Sequence, residues 1–129
     1  MAYIGRVRRW DTYWADLDPG VGHEQKGNPR PVIVLSNDGF NASFGMITVV
    51  SVTKIEGKGR AVYPFEVVLP KGTITPDHGS IVLIHQIRAI SKIRLMEPIG
   101  TISDEAQRAD IENRILEHLG IAFAEDHEH

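Results

Sequence analysis

"PRPVIVLSND", residues 29–38, places an arginine between two prolines, directly before a continuous apolar run. The run PVIVLS (31–36) is typical of a strand that is buried on both faces. Pro31 restricts Arg30 to extended conformations, because a residue before proline avoids the α region. The pattern predicts a buried strand with the Arg30 guanidinium at the rim of the sheet, although a rigid loop with a surface arginine fits it too.

Further strand patterns lie on both sides of this run. Residues 12–18 alternate between apolar and polar positions, and residues 46–52 are rich in β-branched side chains. Residues 61–69 also alternate, with Pro64 indicating an edge strand or a bulge. We predict two more strands and four connections: strands 80–90 and 96–102, and the segments NDGFNASFG (37–45), KIEGKGR (54–60), KGTITPDHG (71–79) and SKIRL (91–95).

Only the segment 103–120 has a helical period. Ser103 is the predicted N-cap, and Gly120 is a residue that can end a helix. The apolar stripe comprises Ala106, Ile111, Ile115 and Leu119. Short strands with one closing helix predict a mainly β fold with some α, a small, partly open β-barrel. The expected domain is single and spans 1–129, with the barrel at about 8–102, the helix at about 103–120 and a frayed tail at 121–129.

Length and composition limit the functional class. The chain has 129 residues and 42% apolar content, which favours one domain with one core. It has no cysteine, no apolar run long enough to span a membrane and no apolar leader, so a cytoplasmic location is predicted. Residues 1–102 carry twelve bases and nine acids, whereas 103–129 carry two bases and eight acids. A mildly basic body of this kind can bind a polyanion locally.

Sequence motifs for metal, phosphate-loop and serine-hydrolase sites are absent. The chain contains no H-E-x-x-H, no G-x-x-x-x-G-K-[ST] and no G-x-S-x-G. Its histidines are scattered, and no metal or other cofactor is predicted.

Several segments in combination resemble the MazF/PemK family of toxin endoribonucleases from bacterial toxin–antitoxin systems. They run in the family's order from about residue 8 to about residue 120: YWADLDP, GHEQ, RPVIVLSND, VVSVTK, YPFEVVLP, GSIVLIHQIRAI and PIGTIS. The resemblance implies an SH3-like barrel that forms a homodimer and cleaves single-stranded RNA, often within a short preferred sequence. It also implies a cognate antitoxin that occupies the RNA groove.

The resemblance carries the family's site onto particular residues. Its arginine falls on Arg30, its strand-end threonine on Thr53, and its glutamate on Glu24, beside Gln25. The histidine that some members have before that glutamate falls on His23. In two places the chain departs from the family: the loop EQKGNPRP is one residue longer, and His85 stands where many members have a carboxylate.

The chemistry of RNA cleavage suggests a role for each of these residues. RNA supplies its own nucleophile, the 2′-hydroxyl, so no metal-bound water is required. Arg30 suits the phosphate, because its planar fork binds phosphate bidentately and stays charged. The Thr53 hydroxyl is expected to donate a hydrogen bond to the same phosphate. Alternatively, Thr53 is an ordinary β-branched strand residue without a catalytic role. Glu24 is the candidate base, and His23 or His85 the candidate acid; His85 equally fits a rim residue without a catalytic role.

RNA binding is expected to come from side chains around the same rim. The predicted contacts are Gln25, Lys26, Lys54, Lys58, Arg60 and Arg88. Trp14, Phe44 and Tyr63 are either platforms for unpaired bases or core residues. The antitoxin is expected to use a flexible acidic segment that folds on binding. A different interpretation is a barrel toxin without catalysis that binds and poisons a protein target such as gyrase, since fold alone does not settle function.

Overall fold

The computed structural model describes residues 5–26, 29–56 and 61–122. Within them one antiparallel sheet has six strands in the order β4-β5-β3-β2-β1-β6. The strands are β1 (Asp11–Ala15), β2 (Arg30–Val34), β3 (Met46–Lys54), β4 (Val67–Leu69), β5 (Ser80–Ser91) and β6 (Leu95–Thr101). The helices are α1 (Asp38–Ser43) and α2 (Glu105–Leu119), with a 3-10 turn at Lys92–Arg94. The predicted fold, mainly β with a C-terminal helix, is confirmed, and the sheet is open.

The central strands β2 and β3 are covered on both faces of the sheet. Ile33 and Val50 belong to one buried cluster, which also contains Ile111 of α2. Their neighbours Val32 and Val49 belong to a second cluster on the opposite face. Consecutive residues of a strand point to opposite faces, so this division confirms the predicted burial of the apolar run on both sides.

Helix α2 begins one residue later than expected. The Asp104 side chain, rather than that of Ser103, caps the helix by accepting a hydrogen bond from the Gln107 amide at 3.0 Å. Gly120 ends the helix as predicted, with the left-handed φ of 73° that glycine adopts without strain. Only part of the predicted apolar stripe is buried, because Ile111 and Ile115 pack on the core whereas Leu119 is 55% exposed.

Two connections differ from the sequence predictions. The segment 37–45 contains the short helix α1, which Asn37 caps by accepting from the Phe40 amide at 2.8 Å. In the segment 61–69 only Val67–Leu69 is a strand. Residues 63–66 form a turn instead, in which the buried Glu66 accepts from the Tyr63 amide at 2.9 Å. Most of the expected frayed tail, residues 123–129, lies outside the described residues.

Strand β5 contains a large bulge opposite β3. Leu83 pairs with Ser51, and Arg88 pairs with Val49. The four residues 84–87 therefore face a single residue of β3, which releases this part of β5 from the regular ladder. No helix in the described ranges is long and apolar enough to cross a membrane.

Candidate active site

Arg30 and Thr53 lie side by side because β2 and β3 pair antiparallel. Val32 lies opposite Ser51, and continuing that register by two residues brings Arg30 opposite Thr53 on the same face. The two side chains line a cleft of about 240 Å³. Its complete lining is Trp14, Pro29, Arg30, Pro31, Val52, Thr53, Lys54 and Thr75.

Within the described residues, one hydrogen bond to a backbone carbonyl holds the Arg30 guanidinium. Its Nε donates a hydrogen bond to the Lys26 carbonyl at 2.8 Å, and the residue is half-buried. It forms no ion pair with any residue in the described ranges. The remaining N–H groups of the fork can therefore serve an anionic ligand such as a phosphate.

The loop 20–26 folds back on itself beside the cleft. Glu24 Oε1 accepts a hydrogen bond from the Val21 amide at 2.8 Å, and the Glu24 amide donates to the Val21 carbonyl at 3.1 Å. The two ends of the loop touch, since a Cβ added at Gly20 would lie 2.3 Å from Cγ of Lys26. Glu24 and His23 are both exposed, and neither is among the residues that line the cleft.

Gln86 fastens this loop to strand β5. Its Oε1 accepts from the Gln25 amide at 2.8 Å, and its Nε2 donates to the His23 carbonyl at 2.9 Å. The sequence analysis did not identify Gln86, and no local signal points to it, because the partners are more than 60 residues apart. Thr75 of the cleft was also missed, because its segment has the composition of an ordinary connection.

His85 lies in an exposed aromatic cluster. Its ring meets Phe65 edge-on, with the ring centroids 5.2 Å apart, and Phe65 stacks on Tyr63 at 5.4 Å. His85 does not line the cleft. Three aromatic residues were predicted either to stack on unpaired nucleobases or to belong to the core. Tyr63 is 55% exposed, and Phe44 is exposed and stacks on Phe40. Trp14 is half-buried and lines the cleft.

The predicted RNA-binding residues occupy different environments. Lys54 lines the cleft and forms an ion pair with Glu56 at 3.3 Å. Lys26 is exposed, and Arg88 is half-buried, with a buried Nη1 that has no hydrogen-bond partner in the described part of the chain. Lys58 and Arg60 lie outside the described residues. Among the residues that are described, no group of three His, Cys, Asp or Glu side chains is arranged to hold a metal ion.

Comparison with known proteins identifies the family of this chain. Residues 8–119 match the family model of the PemK-like, MazF-like toxins of type II toxin–antitoxin systems. Endoribonuclease MazF of Staphylococcus epidermidis is 34% identical over 121 residues, which cover 94% of this chain and 98% of that protein.

Solved structures have the same fold. MazF from Deinococcus radiodurans superposes with a TM-score of 0.73 at 27% identity, covering 92% of this chain and 100% of that one. A mycobacterial endoribonuclease in complex with its cognate antitoxin superposes with a TM-score of 0.69 at 18% identity, covering 93% and 99%. The extent of the family match and the identity to the staphylococcal protein show that this chain belongs to the PemK-like, MazF-like family of type II toxins.

Proposed function

We propose that the protein is the endoribonuclease toxin of a toxin–antitoxin pair and that it cleaves single-stranded mRNA in the cleft of Arg30 and Thr53. The observation that carries this proposal is the pairing of β2 with β3, which sets a half-buried arginine and a threonine hydroxyl in one concave site. Those groups suit a phosphodiester, and the apolar walls formed by Trp14 and Val52 suit the sugar and base.

The proposed reaction requires no metal, because the nucleophile belongs to the substrate. The 2′-hydroxyl oxygen attacks the adjacent phosphorus while its proton passes to a base. The bond from phosphorus to the 5′-oxygen breaks, and that oxygen takes up a proton. Arg30 stabilises the charge that develops on the phosphoryl oxygens, and the Thr53 hydroxyl donates to the same group. The products are a 2′,3′-cyclic phosphate and a 5′-hydroxyl.

Glu24 is our proposed base, and His23 or His85 is the proposed acid. The Glu24 carboxylate already accepts one hydrogen bond from the Val21 amide, and a carboxylate has further lone pairs with which to accept a proton. His23 belongs to the same loop, directly before Glu24, whereas His85 comes from the aromatic cluster with Phe65. A single-turnover rate profile against pH for each alanine variant separates the three, because loss of the base or the acid removes one limb of the profile.

RNA affinity is proposed to come from the rim around the cleft. Lys54 is inside it, and Lys26 and Gln25 belong to the adjoining loop. Arg88, Lys58 and Arg60 are proposed as further contacts. Phosphate contacts of this kind give affinity, and base contacts supply sequence preference. The site of action is proposed to be the cytoplasm, where mRNA is translated.

The proposed inhibitor is a cognate antitoxin with an acidic, partly disordered segment. Family membership supports an antitoxin partner, and the cationic groups of the cleft suit an acidic chain that competes with RNA. Titrating the co-expressed antitoxin against cleavage, with its acidic segment intact or deleted, tests this. Inhibition that is unaffected by the deletion would locate the inhibitory contact elsewhere.

The mechanism is tested with an RNA that carries a single 2′-deoxy nucleotide at the scissile position. The protein alone, in excess chelator and without ribosomes, is expected to cut the all-ribose RNA and to leave the deoxy substrate intact. Efficient cutting of the deoxy substrate would refute attack by the 2′-hydroxyl. No cutting of either RNA, together with inhibition of purified gyrase, would support the non-catalytic toxin, which the endoribonuclease relatives do not favour.

The toxin is also proposed to act as a symmetric homodimer. Exposed apolar side chains lie where the start of β3 meets the end of β5, and these residues, Phe44, Met46 and Ile93, suit a self-complementary contact. Light scattering is expected to give about twice the chain mass of 14.4 kDa. A fully active protein that remains monomeric at micromolar concentration would contradict this expectation.

A further inference from the structure

One side chain connects the bulge of β5 to the loop beside the cleft. The Gln86 amide accepts from the Gln25 amide N–H and donates to the His23 carbonyl, so it binds the loop on both sides of Glu24. These are two hydrogen bonds of ordinary length from a single planar group. They leave the loop little freedom to rotate about the Glu24 backbone.

The same loop also anchors Arg30. The residue after Gln25 is Lys26, whose carbonyl accepts the Arg30 Nε hydrogen bond at 2.8 Å. A displacement of the loop would therefore move the acceptor that orients the guanidinium. Gly20 shows how tightly this end of the loop is packed, since a Cβ there would lie 2.3 Å from the Lys26 side chain.

The bulge explains how Gln86 reaches the loop. In a regular ladder each residue of β5 would face one residue of β3, but residues 84–87 together face one residue. Bulges of this kind redirect side chains beside functional sites. Gln86 is thereby released towards the loop, while Leu83 and Arg88 keep their pairing with β3.

We propose that Gln86 is a positioning residue for RNA cleavage, which holds the loop 20–26 so that Lys26 fixes the Arg30 guanidinium before the RNA binds. This inference rests on the proposed function. Gln86 does not line the cleft, and it acts through Arg30 rather than on the phosphate. Catalysis depends on such preorganisation, and a displacement of about 1 Å can lower a rate by a factor on the order of 10².

The test uses Gln86→Leu, which keeps the size of the side chain and removes both hydrogen bonds. Gln107→Leu on α2 is the matched control, because the Gln107 side chain makes no hydrogen bond within the described ranges. Single-turnover cleavage at saturating protein is measured together with affinity for an RNA blocked by a 2′-deoxy nucleotide. We expect Gln86→Leu to lower the single-turnover rate by a factor on the order of 10–10² with a much smaller change in affinity. The control is expected to match the wild type.

A double mutant tests whether Gln86 affects the cleavage rate through Arg30. If Gln86 acts through Arg30, Gln86→Leu should have little further effect on the rate in an Arg30→Ala background, because the effects of coupled residues are not additive. Additive losses would overturn the proposal. A weaker affinity with an unchanged saturated rate would also overturn it, since Gln86 would then be a direct RNA contact. If the wild-type protein does not cleave RNA at all, the proposed function itself fails, which is a separate result.

Discussion

Arg9 and Arg30 have the same anchor and different surroundings. Each donates its Nε hydrogen to a backbone carbonyl at 2.8 Å, that of Leu35 for Arg9 and that of Lys26 for Arg30. Arg9 then forms an ion pair with Glu112 of α2 at 3.0 Å, and its guanidinium lies 4.8 Å from the centre of the Trp10 ring. Arg30 forms no ion pair within the described residues, and it is one of the residues that line the cleft.

We propose that the two arginines differ in role because they differ in how many guanidinium N–H groups remain without a partner in the described part of the chain. A guanidinium has five N–H donors, and anchoring Nε uses one of them. Arg9 uses others to join the sheet to α2, so its contribution is to stability. In our proposal the terminal nitrogens of Arg30, which form no ion pair within the described residues, bind the phosphate of the RNA.

The largest effect is expected from Arg30→Ala. Removing a preorganised donor lowers a rate by about 10²–10³, so single-turnover cleavage should fall by at least about that much. Thermal melting should change little, since Arg30 makes few stabilising contacts. Arg30→Lys should recover only part of the rate, because an ammonium cannot reproduce the bidentate fork. A well-folded Arg30→Ala protein that cleaves at the normal rate would remove Arg30 from the active site.

A smaller loss is expected from Thr53→Val, which keeps the shape and β-branching of the side chain and removes its hydroxyl. One hydrogen bond to a charged group contributes about 1.5–3 kcal/mol, so the single-turnover rate should fall by a factor on the order of 10–10². Rate and melting temperature are to be measured on one preparation. If the rate falls only in proportion to lost folded protein, Thr53 is a strand residue without a catalytic role.

The smallest catalytic effect is expected from Arg9→Ala, which tests the other half of the comparison. The half-exposed ion pair, the hydrogen bond to Leu35 and the contact with Trp10 together contribute about 1–2 kcal/mol. For a chain of this size the melting temperature should fall by roughly 5 °C. Cleavage per folded molecule should stay within about twofold of the wild type. A large fall in the rate of fully folded Arg9→Ala would show that the two arginines do not have separate roles.

The sheet was predictable because its strands carry strong local patterns. The run 31–36 has no polar residue before Ser36, and its burial on both faces follows from that. Helix α1 was missed because NDGFNASFG has turn composition, and a single cap at Asn37 suffices to start a short helix there. The strand expected at 61–66 is absent because Glu66 closes a turn, a contact that alternation does not reveal.

The candidate site was predictable only in part. Arg30 and Thr53 were named from the resemblance, and the β2–β3 register then places them together. Their neighbour Thr75 comes from a loop, and the two hydrogen bonds from the Gln86 side chain to the loop 20–26 depend on a bulge. Neither feature has a local sequence pattern, because each is decided by which distant segments pack together. The placement of Glu24, His23 and His85 outside the lining of the cleft depends on the same long-range packing.

Strand β1 is hydrogen-bonded on one side by β2, which is made early, and on the other by β6, which is made late. A ribosome therefore adds Arg30 long before it makes Leu95–Thr101. A nascent chain that ends before β6 cannot form the whole sheet. Gln86 also emerges well after the loop that it holds. For a protein whose proposed substrate is mRNA, this order of synthesis separates the making of the proposed catalytic arginine from the assembly of the cleft around it.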